Sequence, residues 1–166
     1  VNGTDKTVKL LLEDKRIGAV SFVGSTRVAR DVYSSAVNSG KRCQALGGAK
    51  NHAVVMPDSD ISSVVNQLIG AAFGSSGQRC MAISVAVLVG DALAEKFIER
   101  IRLVSNGLRV GAFNNADNDF GPVVTREHKR KIEALITSAE DDGAEIVVDG
   151  RLFKPSDDLH GGFFLG

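Results

Sequence analysis

The chain has 166 residues, 43% apolar and 24% charged, which is the length and composition of one globular domain able to bury a core. Twenty basic and twenty acidic side chains cancel to zero formal charge, so a surface built for nucleic acid or anionic lipid is excluded and a small ligand is favoured. The longest strongly apolar run, "ISVAVLVG" at 83–90, falls well short of the ~20 residues that span a bilayer, so we expect no membrane partner.

Strands and helices are predicted to alternate through the first half of the chain. The stretch "GAVSFVGS" (18–25) predicts a short buried strand, and "TRVARDVYSSAVNSG" (26–40) predicts a helix capped by Gly40. Three apolar residues of that helix recur at helical spacing: Val28, Val32 and Ala36. Two further short strands are predicted in "RCQALGG" and "AVVMPD".

The next predicted helix, "DISSVVNQLIGAAFG", places one cysteine just beyond its end. Asp58 or Asp60 would be its N-cap. Its apolar face comprises Ile61, Val64, Val65, Leu68 and Ile69. The helix is predicted to end at a turn over 74–77, so Cys80 lies between a helix end and the strand-like "ISVAVLVG".

The second half continues the alternation. "DALAEKFIERIRLVSN" predicts an amphipathic helix, and a loop of about twenty residues rich in Gly, Asn and Asp follows it. "TREHKRKIEALITSAEDDG" predicts a helix from an N-cap at Thr125 to a C-cap at Gly143, and "AEIVVDG" predicts a strand. This order of elements predicts an α/β fold with parallel strands.

Several common sites are not supported by the sequence. His52, His128 and His160 are too scattered to suggest a metal site, so no metal is expected. The segment "DNDFG" resembles a calcium loop, but counting from Asp117 the twelfth position is His128 instead of a bidentate glutamate. The sequence also has neither GxGxxG nor a Walker lysine motif.

Two glycine-containing turns are weaker candidates. "FVGST" places a glycine and a serine where backbone amides at a helix N-terminus favour a phosphate, although such turns often do no more than start a helix. In "ALGGAKN", Gly47 and Gly48 either let a ligand approach the backbone or serve only a turn.

Cys80 and Cys43 are the only cysteines, and their separation and the ordinary composition favour free thiols in a reducing compartment. Cys80 follows Arg79, whose charge would favour a nucleophilic thiolate, but a free cysteine is as often a buried apolar residue. The residues alone leave these alternatives even. Cys43 lies in a predicted strand and is expected to be structural.

Four segments, in their order and spacing, resemble the NAD-dependent aldehyde dehydrogenase family: "FVGS", "LGGAKN", "FGSSGQRC" and "FGPVV". The resemblance implies that residues 1–48 belong to the end of a Rossmann-like cofactor domain and 49–166 to a parallel-sheet catalytic domain. Family members are much longer, so we expect a central fragment that is inactive alone.

The resemblance also implies roles for single residues. Cys80 would be the catalytic nucleophile that forms a thiohemiacetal and then a thioester. Gly24 and Ser25 would contact the NAD pyrophosphate and ribose region, and Gly47 with its neighbour Leu46 would lie near the nicotinamide.

Two positions depart from the family pattern. Leu46, 34 positions before Cys80, stands where many members carry the glutamate general base. Without that base, hydrolysis of the thioester should be slow. This agrees with one branch of the family, the methylmalonate-semialdehyde dehydrogenases, which pass the acyl group to coenzyme A. Two segments of the chain resemble that branch: "QALGGAKNHAVVMPD" and "GQRCMAIS". Arg79 would then bind the substrate carboxylate, with an exposed arginine that serves only the turn as an equal alternative. Ala29 replaces a frequent glycine, which bears on cofactor contact.

Two alternatives remain at this point: a hydrolytic aldehyde dehydrogenase that uses another base, and a non-catalytic module that keeps the fold. The expected partners are a small semialdehyde and coenzyme A, with a homodimer or homotetramer as the full-length assembly. The resemblance fits either a bacterial cytoplasm or a mitochondrial matrix, and either valine or inositol degradation.

Overall fold

A computed structural model describes residues 3–156, 159 and 161–166, which form two compact units, Val1–Ala49 and Lys50–Gly166. Each unit is built around two parallel strands joined through a helix. The alternation predicted from the sequence is therefore confirmed in both units. Of the three histidines considered above, His160 lies outside the described residues.

The first unit consists of four elements: α1 (Asp5–Glu13), β1 (Ala19–Val23), α2 (Thr26–Asn38) and β2 (Arg42–Leu46). β1 and β2 pair in parallel from Ala19↔Arg42 to Val23↔Leu46. Helix α2 ends as predicted, because Gly40 follows it with a left-handed φ of 70°. Helix α1 precedes the first predicted strand and was not predicted.

The core of the first unit lies between the helices and one face of the strands. It is formed by Leu12, Val32 and Ala36, against which Val20, Phe22 and Cys43 pack. Val28 was predicted to share the buried face of α2, but it is 37% exposed and Ala29 is buried instead. Val32 and Ala36 are buried as predicted, and the difference is confined to the first turn, where a spacing of three residues before Val32 replaces the expected four.

The second unit begins with a strand, a helix and a strand: β3 (Asn51–Val55), α3 (Ile61–Phe73) and β4 (Ile83–Leu88). Asp60 is the N-cap of α3, and its carboxylate accepts hydrogen bonds from the Ser62 and Ser63 N–H groups at 3.3 Å each. A short 3₁₀ turn, Gly74–Gly77, ends the helix at the predicted place. Val65, in the middle of α3, is fully buried.

Two further helices complete the second unit: α4 (Asp91–Asn106) and α5 (Arg126–Asp141). Both were predicted, and the Thr125 hydroxyl accepts a hydrogen bond from the His128 N–H at 3.0 Å as the N-cap of α5. A 3₁₀ turn follows at Gly150–Leu152. The strand predicted at 144–150 is wrong: no described segment forms a ladder with it, and a strand needs a paired neighbour to satisfy its backbone.

The loop between α4 and α5 is ordered by its own contacts. Val110 and Phe120 form an isolated bridge, and the Asp119 N–H donates to the Arg109 carbonyl at 2.8 Å. The Asp119 carboxylate accepts from the Arg109 N–H at 2.7 Å. The Arg109 Nη1 also lies 4.0 Å from the Asp117 carboxylate. Both carboxylates of the segment that resembled a calcium loop are thus close to Arg109.

Two features do not occur in the described part of the chain. No helix there is long and apolar enough to cross a membrane. Within the same residues, no group of three or more His, Cys, Asp or Glu side chains is arranged to hold a metal ion.

Candidate active site

The turn that carries Cys80 has an unusual backbone. Ser75, Ser76 and Gly77 have φ values of 55°, 53° and 70°, so three consecutive residues are left-handed. A non-glycine residue in this region typically costs on the order of 1 kcal/mol or more and persists where its surroundings hold it. The Arg79 N–H then donates to the Gly77 carbonyl at 2.9 Å, and the chain turns sharply from α3 towards β4.

Cys80 lies exposed on this turn with a free thiol. Nothing among the described residues accepts a hydrogen bond from its backbone N–H. The other cysteine differs: Cys43 is half-buried and packs against the core of the first unit. The structure therefore gives Cys80 both an accessible sulfur and an accessible adjacent donor, as a nucleophile requires.

Side chains of the turn reach the end of the loop between α4 and α5. The Gln78 Oε1 accepts from the Val124 N–H at 3.0 Å, and its Nε2 lies 3.4 Å from the Pro122 carbonyl. The Ser76 hydroxyl donates to the Gly121 carbonyl. Two sequence segments that were singled out separately, "FGSSGQRC" and "FGPVV", are thus in direct contact. The contact explains why the long loop ends in an ordered segment.

Arg79 lies across the end of α3. Its Nη2 donates to the carbonyls of Gly70 and Ala71 at 2.6 and 2.9 Å, in the last turn of the helix, where the Gly70 carbonyl also accepts from the Gly74 N–H. Gly74 permits this position, because an added Cβ would come within 2.8 Å of Nη2. The Nε and Nη1 groups make no hydrogen bond within the described residues. Contact between Arg79 and a substrate carboxylate stays a prediction, and it would use either Nε or Nη1 alone, because both bidentate edges of a guanidinium include Nη2.

A side chain that the sequence did not single out holds the backbone at Cys80. The Asn51 Nδ2 donates to the Cys80 carbonyl at 2.9 Å and to the Ala82 carbonyl at 3.0 Å. Asn51 is 29 residues from Cys80 in the chain and had appeared only as part of "LGGAKN". No local pattern signals such a contact, because it depends on the pairing of β3 with β4.

The four candidate cofactor residues lie together at one edge of the first unit. Parallel strands end on the same side, so Gly24 and Ser25 after β1 come beside Leu46 and Gly47 at the end of β2. The Gly24 N–H donates to the Leu46 carbonyl at 3.1 Å.

The N-terminus of α2 forms part of the same edge. Ser25 is the N-cap, yet its side chain makes no capping hydrogen bond, so the first amides of α2 are not satisfied by it. The Gly48 N–H donates to the Thr26 hydroxyl at 3.1 Å. Gly47 passes so close that a Cβ would lie 2.9 Å from that oxygen. This edge offers backbone donors and little side-chain bulk, which suits a phosphate-bearing ligand.

A cavity of about 360 Å³ opens between α1 and α2 in the same unit. Its apolar wall includes Val8, Leu12, Phe22 and Val28, and its charged rim includes Lys9, Arg27 and Asp31. This combination of an apolar wall with a few polar groups is typical of small-molecule sites. Sequence analysis missed it, because α1 was not predicted.

The position of the missing general base can now be described. The side chains of β2 alternate, and Leu46 is 51% exposed while Ala45 is half-buried on the face shared with Cys43. Neither residue carries a carboxylate. The lack of a base therefore does not depend on which of the two is aligned with the glutamate of other sequences.

Comparisons with known proteins cover the whole chain. The sequence model of the aldehyde dehydrogenase family matches residues 1–166. A malonate-semialdehyde dehydrogenase of Pseudomonas aeruginosa is 47% identical over all of this chain and 33% of its own length, and one of Bacillus cytotoxicus is 48% identical over 34% of its length. The chain thus spans about a third of the length of the curated relatives it matches.

Solved structures give the same picture. A crystal structure of a methylmalonate-semialdehyde dehydrogenase from Oceanimonas doudoroffii superposes with a TM-score of 0.96 at 56% identity, over 100% of this chain and 34% of that one. A candidate methylmalonate-semialdehyde dehydrogenase from Sinorhizobium meliloti, complexed with NAD, matches with a TM-score of 0.96 at 48% identity, over 100% of this chain and 34% of that one. A betaine aldehyde dehydrogenase of Staphylococcus aureus in complex with NAD+ has a TM-score of 0.86 at 28% identity, over 95% of this chain and 31% of that one.

Proposed function

This chain belongs to the aldehyde dehydrogenase family, and on that premise we propose that the whole enzyme oxidises malonate or methylmalonate semialdehyde with NAD and passes the acyl group to coenzyme A. The family resemblance and the α/β fold expected from the sequence are confirmed. The observation that carries the proposal is Cys80: an exposed free thiol on a strained turn, beside its own available N–H.

The first step follows from the chemistry of Cys80. Its thiolate attacks the aldehyde carbon, the new C–S bond forms, and the π electrons of the carbonyl move onto oxygen. The Cys80 N–H would donate to that oxyanion, and a preorganised donor of this kind is typically worth 100-fold or more in rate. The product of the step is a thiohemiacetal on Cys80.

The first unit fits the cofactor that the family implies. At the edge formed by Gly24, Ser25 and Gly47, backbone amides at the start of α2 would hold the pyrophosphate. The cavity between α1 and α2 has the size and apolar wall to take an adenine ring. When bound, NAD supplies the two-electron acceptor that converts the thiohemiacetal to a thioester. Residues 1–48 are accordingly proposed as part of the cofactor domain, and 49–166 as part of the catalytic domain.

The fate of the thioester depends on what the chain lacks. A general base typically contributes ~100-fold or more to proton removal from water, and neither Ala45 nor Leu46 supplies one. A thiol needs less help than water, because its thiolate is a strong nucleophile near neutral pH. Coenzyme A would attack the acyl carbon, the Cys80 sulfur would leave as a thiolate, and the enzyme would be regenerated.

The substrate carboxylate finds a partner beside the nucleophile. Arg79 precedes Cys80, and while its Nη2 stays on α3 either Nε or Nη1 would donate one charge-assisted hydrogen bond to the carboxylate. We include this contact in the proposal, together with assembly of the full-length protein as a homodimer or homotetramer.

The test uses the full-length enzyme with malonate semialdehyde and NAD, in the presence and absence of coenzyme A. We expect one stoichiometric burst of NADH without coenzyme A and sustained turnover with it. Cys80→Ser should abolish the burst, and the matched Cys43→Ser should retain it. Turnover that does not depend on coenzyme A would favour hydrolysis, and turnover that survives Cys80→Ser would reject the proposed nucleophile.

A further inference from the structure

We infer that Asn51 is a positioning residue for the nucleophile, an assignment that rests on the function proposed above. Asn51 is the first residue of β3, and its half-buried side chain donates to the carbonyls of Cys80 and Ala82 at 2.9 and 3.0 Å. Both partners are acceptors, so only the NH₂ group of the amide can satisfy them. One side chain therefore fixes the backbone on both sides of Met81.

The strand ladder does not reach this stretch of backbone. β3 and β4 begin to pair at Asn51↔Ile83, and the register shifts between Asn51 and His52. Residues 80–82 precede the first pair, so the ladder holds none of their carbonyls. The Asn51 amide provides the cross-strand hydrogen bonds that the sheet lacks at this point.

These bonds govern the groups that react. Fixing the Cys80 carbonyl fixes the peptide plane that follows Cys80, and hence its ψ angle. The strained turn at Ser75 and Ser76 holds the chain on the preceding side. Between these two restraints, the direction of the Cys80 Cα–Cβ bond and the direction of its N–H are set together. A nucleophile and an oxyanion donor on one residue need that joint orientation to meet one carbonyl group.

The residue type is specific to this task. An aspartate in place of Asn51 would have the same shape, but an ionised carboxylate only accepts hydrogen bonds and would face two carbonyl oxygens. An alanine would leave both carbonyls to water. If Asn51 acts only by orientation, Asn51→Ala slows the chemistry, and Asn51→Asp slows it at least as much.

The experiment uses the full-length enzyme and the variants Asn51→Ala and Asn51→Asp. Asn66→Ala, on the exposed side of α3, is the matched control. The pre-steady-state NADH burst gives a rate constant for acylation and, separately, an amplitude that counts functional sites. We expect the Asn51 variants to lower the rate constant ~10- to 100-fold, because a 1 Å misplacement costs about 100-fold.

A second measurement needs no NAD. Propanal protects Cys80 from iodoacetamide by forming the thiohemiacetal, and the concentration for half-protection reports the stability of that adduct. We expect Asn51→Ala to raise this concentration about 10-fold, because the oxyanion loses its aligned donor, while alkylation without propanal changes less than ~3-fold.

The outcomes separate the inference from its premise. In one contrary result, the Asn51 variants reduce only the burst amplitude, while their rate constant and their propanal concentration for half-protection equal those of Asn66→Ala. That result would show that Asn51 is merely structural. The proposed function itself is overturned if propanal does not protect the wild-type enzyme from iodoacetamide and the Cys80→Ser variant keeps its activity.

Discussion

Replacing Arg79 by alanine should reveal whether this residue recognises the substrate in addition to capping a helix. The structure places Nη2 on the carbonyls of Gly70 and Ala71, so one hydrogen bond from Nε or Nη1 is left for a carboxylate. One charge-assisted hydrogen bond at the lower end of its range is worth about 1.5 kcal/mol. At 1.36 kcal/mol per decade, this predicts a ~10-fold loss in kcat/KM.

The assay compares two aldehydes in the full-length enzyme. Malonate semialdehyde carries the carboxylate and propanal does not, so the ratio of their kcat/KM values isolates recognition of the charge. For Arg79→Ala we expect the ratio to fall ~10-fold, accompanied by a lower thermal midpoint from the lost contacts with the end of α3.

Gly74→Ala provides the matched control for Arg79. Its Cβ would come within 2.8 Å of the Arg79 Nη2 and push the guanidinium off α3 while keeping the charge. The thermal midpoint should fall, and the ratio of the two kcat/KM values should stay within a few-fold. If Arg79→Ala slows both aldehydes by the same factor, Arg79 is a helix cap only and the recognition argument is wrong.

Three further predictions follow from contacts in the two units. Gly47→Ala should raise the Kd for NAD, measured by fluorescence titration, because the new Cβ would lie 2.9 Å from the Thr26 hydroxyl at the edge assigned to the cofactor. Gln78→Glu keeps the acceptor for the Val124 N–H but turns a carboxylate oxygen towards the Ser75 and Pro122 carbonyls, so the thermal midpoint should fall, and the added negative charge should slow alkylation of Cys80 by iodoacetate at a fixed pH. Asp60→Ala removes the α3 cap and should cost about 1 kcal/mol, seen as a lower thermal midpoint with unchanged kcat.

The parts of the fold that local chemistry determines were predicted well. Asp60 and Thr125 are caps, and Gly40 ends a helix, because each role depends on a few neighbouring residues. The error at 144–150 is of the opposite kind, since strand formation depends on a partner elsewhere in the chain.

The candidate site divides in the same way. Cys80 and the glycine turns were proposed because they lie in contiguous motifs, and their roles stay predictions. Asn51 was missed because its contact joins residues 29 positions apart, through the pairing of two strands. The position of Arg79 on α3 was also missed: its contacts lie eight and nine residues back, across the strained turn that no propensity argument predicts.

The last prediction concerns the missing base. Ala45 is half-buried and lines a cavity beside Thr26 and Ala29 of α2, so a glutamate there would lie against that helix. Leu46 points to the exposed face, where a carboxylate fits without repacking. If the lack of a base is what makes the enzyme depend on coenzyme A, Leu46→Glu should raise NADH turnover without coenzyme A by ~10- to 100-fold. Leu46→Gln, which has nearly the same shape but no basic group, should not do so. Equal gains from the two variants would mean that bulk or polarity, and not proton transfer, limits hydrolysis, and the account of the missing base would have to be abandoned.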